Sequence, residues 1–455
     1  MTVSERFDAQ LTDQLTDQWS DPGTGQADAI GIVGGGQLAW MLARAARELA
    51  IPLQVQTPSA TDPAARLASG VVLAAVDDPA GTAELARRCR AISFENEWLP
   101  LAELALLERQ GVRFVPCLEA IGPLVSKRSQ RELLDRLNLP SPPWCDLERV
   151  LRPPLDQGAA HAGQGGESGA GTGASADPPP SPFPPAAPQR PTLPAWLQFP
   201  LMAKASRGGY DGRGLRAIAD QHALESLLAE VDPDDWILEQ HIAFERELAL
   251  VACRDASGAV ATYPLVETHQ HQGVCDWVLQ PAPVDHTVEA FARNVAASLL
   301  TALDYEGVLT IEFFYGPSGL LVNELAPRTH NSGHLTIEAC CTSQFSQQLR
   351  IVAGRGLGPT DARLAGALMV NLLGFETLAG DDPSADYGDR RRDLEALPGA
   401  QVHWYGKQGA APGRKLGHVT LPLDATDPQQ RRRDAEHLLQ QVRAIWPLPQ
   451  PLPLE

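Results

Sequence analysis

A chain of 455 residues with 44% hydrophobic side chains is long for one domain and can bury more than one core, so two to four domains are expected. Its formal charge of −19, from 56 acidic against 37 basic residues, argues against a general nucleic-acid-binding face while leaving room for a locally basic pocket. The 7 cysteines form no CxxC pair, so neither a zinc ribbon nor a disulfide framework is legible, and no apolar run of about 18 residues exists to span a bilayer.

The first 28 residues are polar and acidic with no apolar core of a secretory leader, and read as a mobile extension of a cytoplasmic protein. Folding signals begin at Ala29. The apolar run Ile30 to Val33 leads into Gly34-Gly35-Gly36, and Leu38, Met41, Leu42, Ala45, Ala46 and Leu49 then recur at the spacing of one buried helix face. Further strands are expected at Leu53 to Gln56, Gly70 to Val76 and Ala91 to Phe94. Strand, helix, strand with short links predicts a parallel α/β sheet. The glycines suit either an anion at a helix N-terminus or a tight turn with no ligand, and Ala39 breaks the GxGxxG spacing of a dinucleotide site. Glu95 and Glu97 alternate after the last of these strands, so both project to one side if it continues.

Residues 152–196 are dense in Gly, Pro, Ala and Ser, and cannot bury enough surface to offset the entropy of ordering. They are expected to be a disordered insertion. Beyond it, Leu201 to Lys204 reads as a strand and Ser206 to Gly214 as a glycine-rich loop. Without a closing Gly-Lys-Ser/Thr this is not a Walker A loop, although Lys204 and the glycine N–H groups suit a phosphate. Strands follow at Trp236 to Ile242 and Glu247 to Cys253, then an amphipathic helix at Val288 to Leu303.

Val308 to Tyr315 and Leu320 to Leu325 form a hairpin around Gly316-Pro317-Ser318-Gly319. A loop centred on Ser318 sets Glu312 opposite Glu324, with β-carbons roughly 4.5–5.5 Å apart. Carboxylates that close repel unless one is protonated or a cation such as nucleotide-bound Mg²⁺ lies between them; two glutamates on a solvated face remain the alternative. Arg328, His330 and His334 follow closely, and Lys407, Arg414 and Lys415 gather in a late Gly/Pro-rich turn suited to a phosphate monoester.

In this order the segments resemble the ATP-grasp family, closely its N5-carboxyaminoimidazole ribonucleotide synthase branch. The carriers are Val33 to Leu38, the Gly209-Tyr210-Asp211-Gly212-Arg213-Gly214 loop, Leu238-Glu239-Gln240 with Glu247, Glu312, Asn323 to Arg328, His330 to His334, His403 to Lys407 and Pro412 to His418. The resemblance implies an α/β and α+β chain with the ATP-grasp fold: a Rossmann-like domain over 29–122, a lid over 123–248 interrupted by the insertion, a core over 249–365, and a small C-terminal domain over 366–455. It implies ATP, Mg²⁺ and bicarbonate as reactants, an aminoimidazole ribonucleotide as acceptor, and a homodimer.

The same resemblance assigns residues. Lys127, Lys204, Gly209 to Gly214, Leu215 and Asn323 would meet ATP with Glu239, Gln240, His241, Ile242 and Glu247. Glu312 and Glu324 would hold the metal, and Arg328, Lys204, His330 and Asn331 would serve the chemistry. Gln37, Leu38, Glu95, Glu97, Tyr210, Asp211, Arg213, Lys407, Arg414 and Lys415 would form the ribonucleotide site. Two departures stand out: Ala39-Trp40 follows Leu38 where the family usually has glycine, and a family histidine near the nucleotide falls on Gln270, leaving His269 and His271 as alternatives. A formate-using glycinamide ribonucleotide transformylase and a non-catalytic nucleotide-binding protein are the rival readings.

Overall fold

The computed structural model describes residues 28–151, 191–209, 214–379 and 382–449. The expected N-terminal extension, nearly all of the insertion, and Tyr210, Asp211, Gly212 and Arg213 of the glycine-rich loop lie outside them.

Four short apolar runs make the first sheet: β1 (Ile30–Val33), β2 (Leu53–Thr57), β3 (Gly70–Leu73) and β4 (Ala91–Phe94). All pair in parallel in the order β3-β2-β1-β4, as the strand–helix alternation predicts. Helix Gln37–Glu48 buries the expected face, including Met41, Leu42, Ala45 and Ala46. β3 stops at Leu73 rather than Val76, level with Thr57 at the end of β2, where its ladder partner runs out.

The second sheet is antiparallel: β5 (Trp144–Asp146), β6 (Leu201–Ala205), β7 (Leu215–Ile218) and β8 (Trp236–Gln240), ordered β5-β8-β6-β7. The backbone N–H of Thr192 donates to the Val150 carbonyl at 2.8 Å, so the chain returns after the insertion beside the point where it left. β8 ends at Gln240, two residues short of expectation, opposite Leu201 where its ladder partner β6 begins, and the Gln240 side chain bonds the Gln198 backbone at 2.9 Å and 3.1 Å.

The remaining strands form one nine-stranded sheet: β9 (Arg246–Arg254), β10 (Val260–Thr262), β11 (Val266–His271), β12 (Val274–Gln280), β13 (Gly307–Gly316), β14 (Gly319–Ala326), β15 (Gly366–Leu373), β16 (Gln401–Trp404) and β17 (Lys415–Leu423). The order is β14-β13-β9-β11-β12-β15-β17-β16, with β10 on β9. Helix His286–Ala302 lays Ala292, Val295, Ala296, Leu299 and Leu300 against Leu248, Leu250, Leu309, Ile311 and Phe313. On the opposite face Ala249, Val251, Cys253 and Val308 pack into a second core, so polar side chains gather there at the end that carries Glu247, Glu312 and Glu324.

Two expected boundaries fall inside this sheet. β9 runs through 248–249 because its ladder to β13 begins at Arg246. β15 pairs with β12 across 365–366, so the C-terminal segment extends the central sheet rather than building one of its own. Helix Pro428–Ile445 closes this end, and Trp446 donates its indole N–H to the Leu373 carbonyl at 2.8 Å.

Candidate active site

The hairpin carries the site, and its geometry differs from expectation in an instructive way. The turn is Pro317-Ser318, with Gly316 opposite Gly319 and Phe313 opposite Val322, one residue off the register assumed from a loop centred on Ser318. A β-bulge then inserts Asn323 into β14, and beyond it Glu312 does face Glu324. Had the turn register continued, Glu324 would lie opposite Ile311, on the face buried under the helix, since a one-residue slip reverses every side chain. The bulge therefore decides that both carboxylates share the open face. Glu247 joins them, because it pairs with Phe314, two residues along β13 from Glu312.

Helix Lys127–Arg136 supplies cations to this face. Ser126 caps it, accepting from the Ser129 N–H, and the Lys127 N–H donates to the Ser206 carbonyl at 2.8 Å. Lys127 Nζ lies 3.0 Å from Glu324. Arg131 bonds Glu239 at 2.7 Å and the Asn323 carbonyl at 2.6 Å. Lys204 Nζ meets the other Glu239 oxygen at 2.8 Å and the Asn323 side-chain oxygen at 3.1 Å. Arg131 was not anticipated, although Lys127, Gln130 and Arg131 fall at i, i+3 and i+4 on one helix face, which is a readable signal.

These groups are unevenly satisfied. Burial opposes the Glu239 charge, but Arg131 and Lys204 outweigh it and hold the carboxyl down at about 2. Lys204 is nonetheless pushed below the usual lysine range: burial dominates, and Arg131 and Lys127 repel its charge against the pull of Glu239. Two buried cations share one buried carboxylate, so Lys204 is a charge that an incoming anion would stabilise.

The opposed glutamates show the converse. Glu312 is pushed up to about 7 by partial burial, then by Glu324 and Glu247, while Lys127 holds Glu324 below its ordinary range against its own burial. Their side chains keep 24% and 37% exposure, so the oxygens open onto the cleft. At an effective dielectric of about 20, like charges about 5 Å apart repel by roughly 3 kcal/mol. His330 Nε2 stands 3.5 Å from Glu312, its other ring nitrogen 3.0 Å from the Ser332 hydroxyl. Burial raises Glu247 to about 7 as well, against the attraction of His269.

Of the three candidate positions, Gln270 falls on the face of Glu247, because Thr268 pairs with Glu247 and side chains alternate along β11, while His269 falls on the other face and stacks on Trp277 with centroids 5.2 Å apart, 3.3 Å from Asp276. His271 instead bonds the Pro449 carbonyl at 3.1 Å. Phe244 stacks on Phe314 at 4.7 Å, and Phe314 shares the face of Glu247, its partner across the ladder. Gln240 and exposed His241 meet the Pro200 carbonyl through a side-chain and a backbone N–H, and Leu215 is exposed at the start of β7.

The first sheet closes the other wall. The anion at the start of helix Gln37–Glu48 is the protein's own: Glu95 accepts from the N–H groups of Gly36 at 2.8 Å and Leu38 at 3.0 Å. Gly34 has φ +134°, and a β-carbon there would sit 2.4 Å from Glu95, so glycine permits this approach. Gln37 accepts from Lys407 at 2.6 Å, and Lys407 lies over the Tyr405 ring at 5.7 Å. Trp40, at the departure from the family pattern, packs edge-on to the same ring at 5.9 Å, and Ala39 is fully buried.

Glu97 grips Arg328 at 2.6 Å and 3.3 Å, and its attraction outweighs burial to raise the guanidinium further. This pair joins the two walls. Asn331 pairs with Asn371, unanticipated, at 2.7 Å and 3.0 Å. Lys415 lies near enough to influence Glu312. Arg414 is exposed and bonds the Gln408 carbonyl of its own turn at 2.6 Å. Gly209 and Gly214 flank the undescribed part of the loop.

Comparison with known proteins agrees with this geometry. Family models match for a ribonucleotide synthetase preATP-grasp domain over 27–122, an ATP-grasp domain over 188–345 and a phosphoribosylaminoimidazole carboxylase C-terminal domain over 367–432. The chain is 44% identical, over 92% of its length and 96% of the relative's, to an N5-carboxyaminoimidazole ribonucleotide synthase of Synechococcus elongatus. Its structure is similar to the crystal structure of a Thermus thermophilus synthetase of that name (TM-score 0.71, 30% identity, 94% of this chain and 100% of that one). It is also similar to an Aspergillus clavatus synthase in complex with ADP and 5-aminoimidazole ribonucleotide (TM-score 0.74, 25% identity, 92% and 99%).

Two outcomes follow. Glu239→Ala leaves Arg131 and Lys204 buried without their shared carboxylate and should cost about 3–5 kcal/mol in denaturant unfolding; a loss under about 1 kcal/mol would mean the three charges are not coupled. Glu312 and Glu247, both raised to about 7 from an ordinary 4.5, contribute stability that is present below pH 4.5 and lost as the pH rises through 7. The ligand-free protein should therefore melt lower at pH 8 than at pH 5.5 in this window, and Glu312→Gln should shrink the difference. An identical difference in the variant would show that Glu312 does not carry it.

Proposed function

The chain belongs to the N5-carboxyaminoimidazole ribonucleotide synthase family of ATP-grasp ligases, and from that premise we propose how its residues divide the reaction. It carboxylates the exocyclic amine of 5-aminoimidazole ribonucleotide, using ATP and bicarbonate, in purine biosynthesis. The observation that carries the reading is the opposed pair Glu312 and Glu324 on the open face, ringed by Lys127, Lys204 and His330.

Mg²⁺ fits that pair: two hard carboxylates, one raised to about 7 by burial and then by its acidic neighbours, are a donor set that a divalent cation relieves, and nucleotide phosphates would complete its ligands. Bound there, the ion supplies charge neutralisation for phosphoryl transfer. Lys127 and Lys204 take the phosphates, under the loop of Gly209 to Gly214 and Leu215. The backbone of Glu239, Gln240, His241 and Ile242 faces the adenine, while the Glu239 side chain keeps Lys204 in place. Glu247 receives the ribose, with Gln270 on the same face of the sheet.

A bicarbonate oxygen attacks the γ-phosphorus, ADP leaves, and carboxyphosphate forms beside Arg328, His330 and Asn331. Lys204 and Arg328 offset the charge that develops on the transferring group. The substrate amine then attacks the carboxyl carbon, or CO₂ released from it, expelling phosphate and losing a proton. A closed cleft matters because water would consume the intermediate. Gln37, Leu38, Glu95, Glu97, Lys407, Arg414 and Lys415, with Tyr210, Asp211 and Arg213, hold the ribonucleotide.

In this reading, residues 29–122 and 366–455 hold the acceptor, and 123–248 and 249–365 hold ATP. Among the described residues no helix is long and apolar enough to cross a membrane. A cytoplasmic homodimer, tested by sedimentation, completes the proposal.

Purified protein with ATP, Mg²⁺ and bicarbonate should release ADP much faster when 5-aminoimidazole ribonucleotide is added. Release driven instead by glycinamide ribonucleotide with formate would keep the fold and overturn the substrate. Glu324→Gln should lower turnover by about 100-fold or more with an unchanged circular dichroism spectrum, and a near-normal rate would remove the metal assignment.

A further inference from the structure

β14 is the outermost strand of the large sheet, so its outer backbone groups need partners from elsewhere. Gln130 supplies them. Its Oε1 accepts from the Leu325 N–H at 2.9 Å, and its Nε2 donates to the Leu325 and Leu124 carbonyls, each at 2.9 Å. One buried amide thus makes both hydrogen bonds that a neighbouring strand would make. Two residues back, Arg131 takes the carbonyl of the bulged Asn323 while its Nε holds Glu239. The Val322 N–H donates to the Pro140 carbonyl at 2.8 Å, so the outer edge is held on both sides of the bulge.

A bulge lacks ladder partners for its extra residue, and the competing arrangement is the unbulged register that the turn begins. In that register Glu324 moves opposite Ile311, off the cleft. The Asn323 carbonyl reaches Arg131 and the Asn323 side chain reaches Lys204 where the bulge sets them, and Gln130 clamps the main chain directly beyond it, so together these contacts oppose the slip. We propose that Gln130 and Arg131 are positioning residues for the opposed glutamates: they fix the bulge at Asn323 and so keep Glu324 facing Glu312 across the cleft. The inference rests on the reading of that pair as a metal site.

The test is Mn²⁺ binding in the presence of ADP, followed by electron paramagnetic resonance, for the full chain and for Gln130→Met and Arg131→Lys. Gln130→Met preserves volume without the amide, and Arg131→Lys keeps the charge without the fork. Each folded variant should bind Mn²⁺ about tenfold more weakly, as loss of outer-shell support does elsewhere. The KM for 5-aminoimidazole ribonucleotide should stay within about twofold, a split that general destabilisation would not produce. Glu324→Gln is the control. If it loses Mn²⁺ while both variants bind normally, the positioning role is overturned and the metal reading stands. If it binds Mn²⁺ as the parent does, the metal reading itself fails. Should Gln130→Met not fold, the Arg131→Lys affinity alone decides, a normal value overturning the proposal.

Discussion

Everything at this site depends on the pairing register of one edge strand. A hairpin closed by Pro317-Ser318 would, left regular, bury Glu324 against the helix behind the sheet. The single extra residue at Asn323 returns that carboxylate to the face where Glu312 and Glu247 stand. Burying a lone carboxylate is expensive, so the regular register is disfavoured by charge as well as by the contacts that hold the bulge. Asn323 also meets Lys204 through its side chain, which ties the geometry of the bulge to a second sheet.

Around that strand the charges are left deliberately unbalanced, in a physical sense. Burial, with Arg131 and Lys127 nearby, holds Lys204 below its usual range although it shares Glu239 with Arg131, and burial with the facing Glu324 raises Glu312 to about 7. Each imbalance is relieved by a particular kind of visitor: an anion beside Lys204, a cation between the glutamates. Metal-nucleotide is one species that brings both signs together. The preference for such a ligand thus follows from the unliganded electrostatics.

The first sheet is fastened to the large one by polar contacts that are also site contacts. Glu97 binds Arg328, Gln37 binds Lys407, and His403 bridges Arg44 at 2.8 Å and Glu338 at 2.7 Å. A movement of one wall relative to the other would therefore be felt directly by Arg328 and Lys407.

Much of this was legible in the sequence. Periodicity identified the parallel sheet, the helix after Gly36 and the hairpin, because local spacing fixes which face of an element is apolar. The order of motifs pointed to the family, and the pairing of Glu312 with Glu324 was anticipated, although from a turn register that proved one residue off. What the sequence could not decide was set by contacts between residues far apart in the chain. Helix Lys127–Arg136 against β14, Glu95 against the helix N-terminus, His269 stacked on Trp277 away from Glu247, and one continuous sheet across 365–366 are all of this kind. Spacing reports the period of a segment, but a bulge, a shared ion pair or a sheet that runs on depends on which segments meet, and only tertiary packing chooses that.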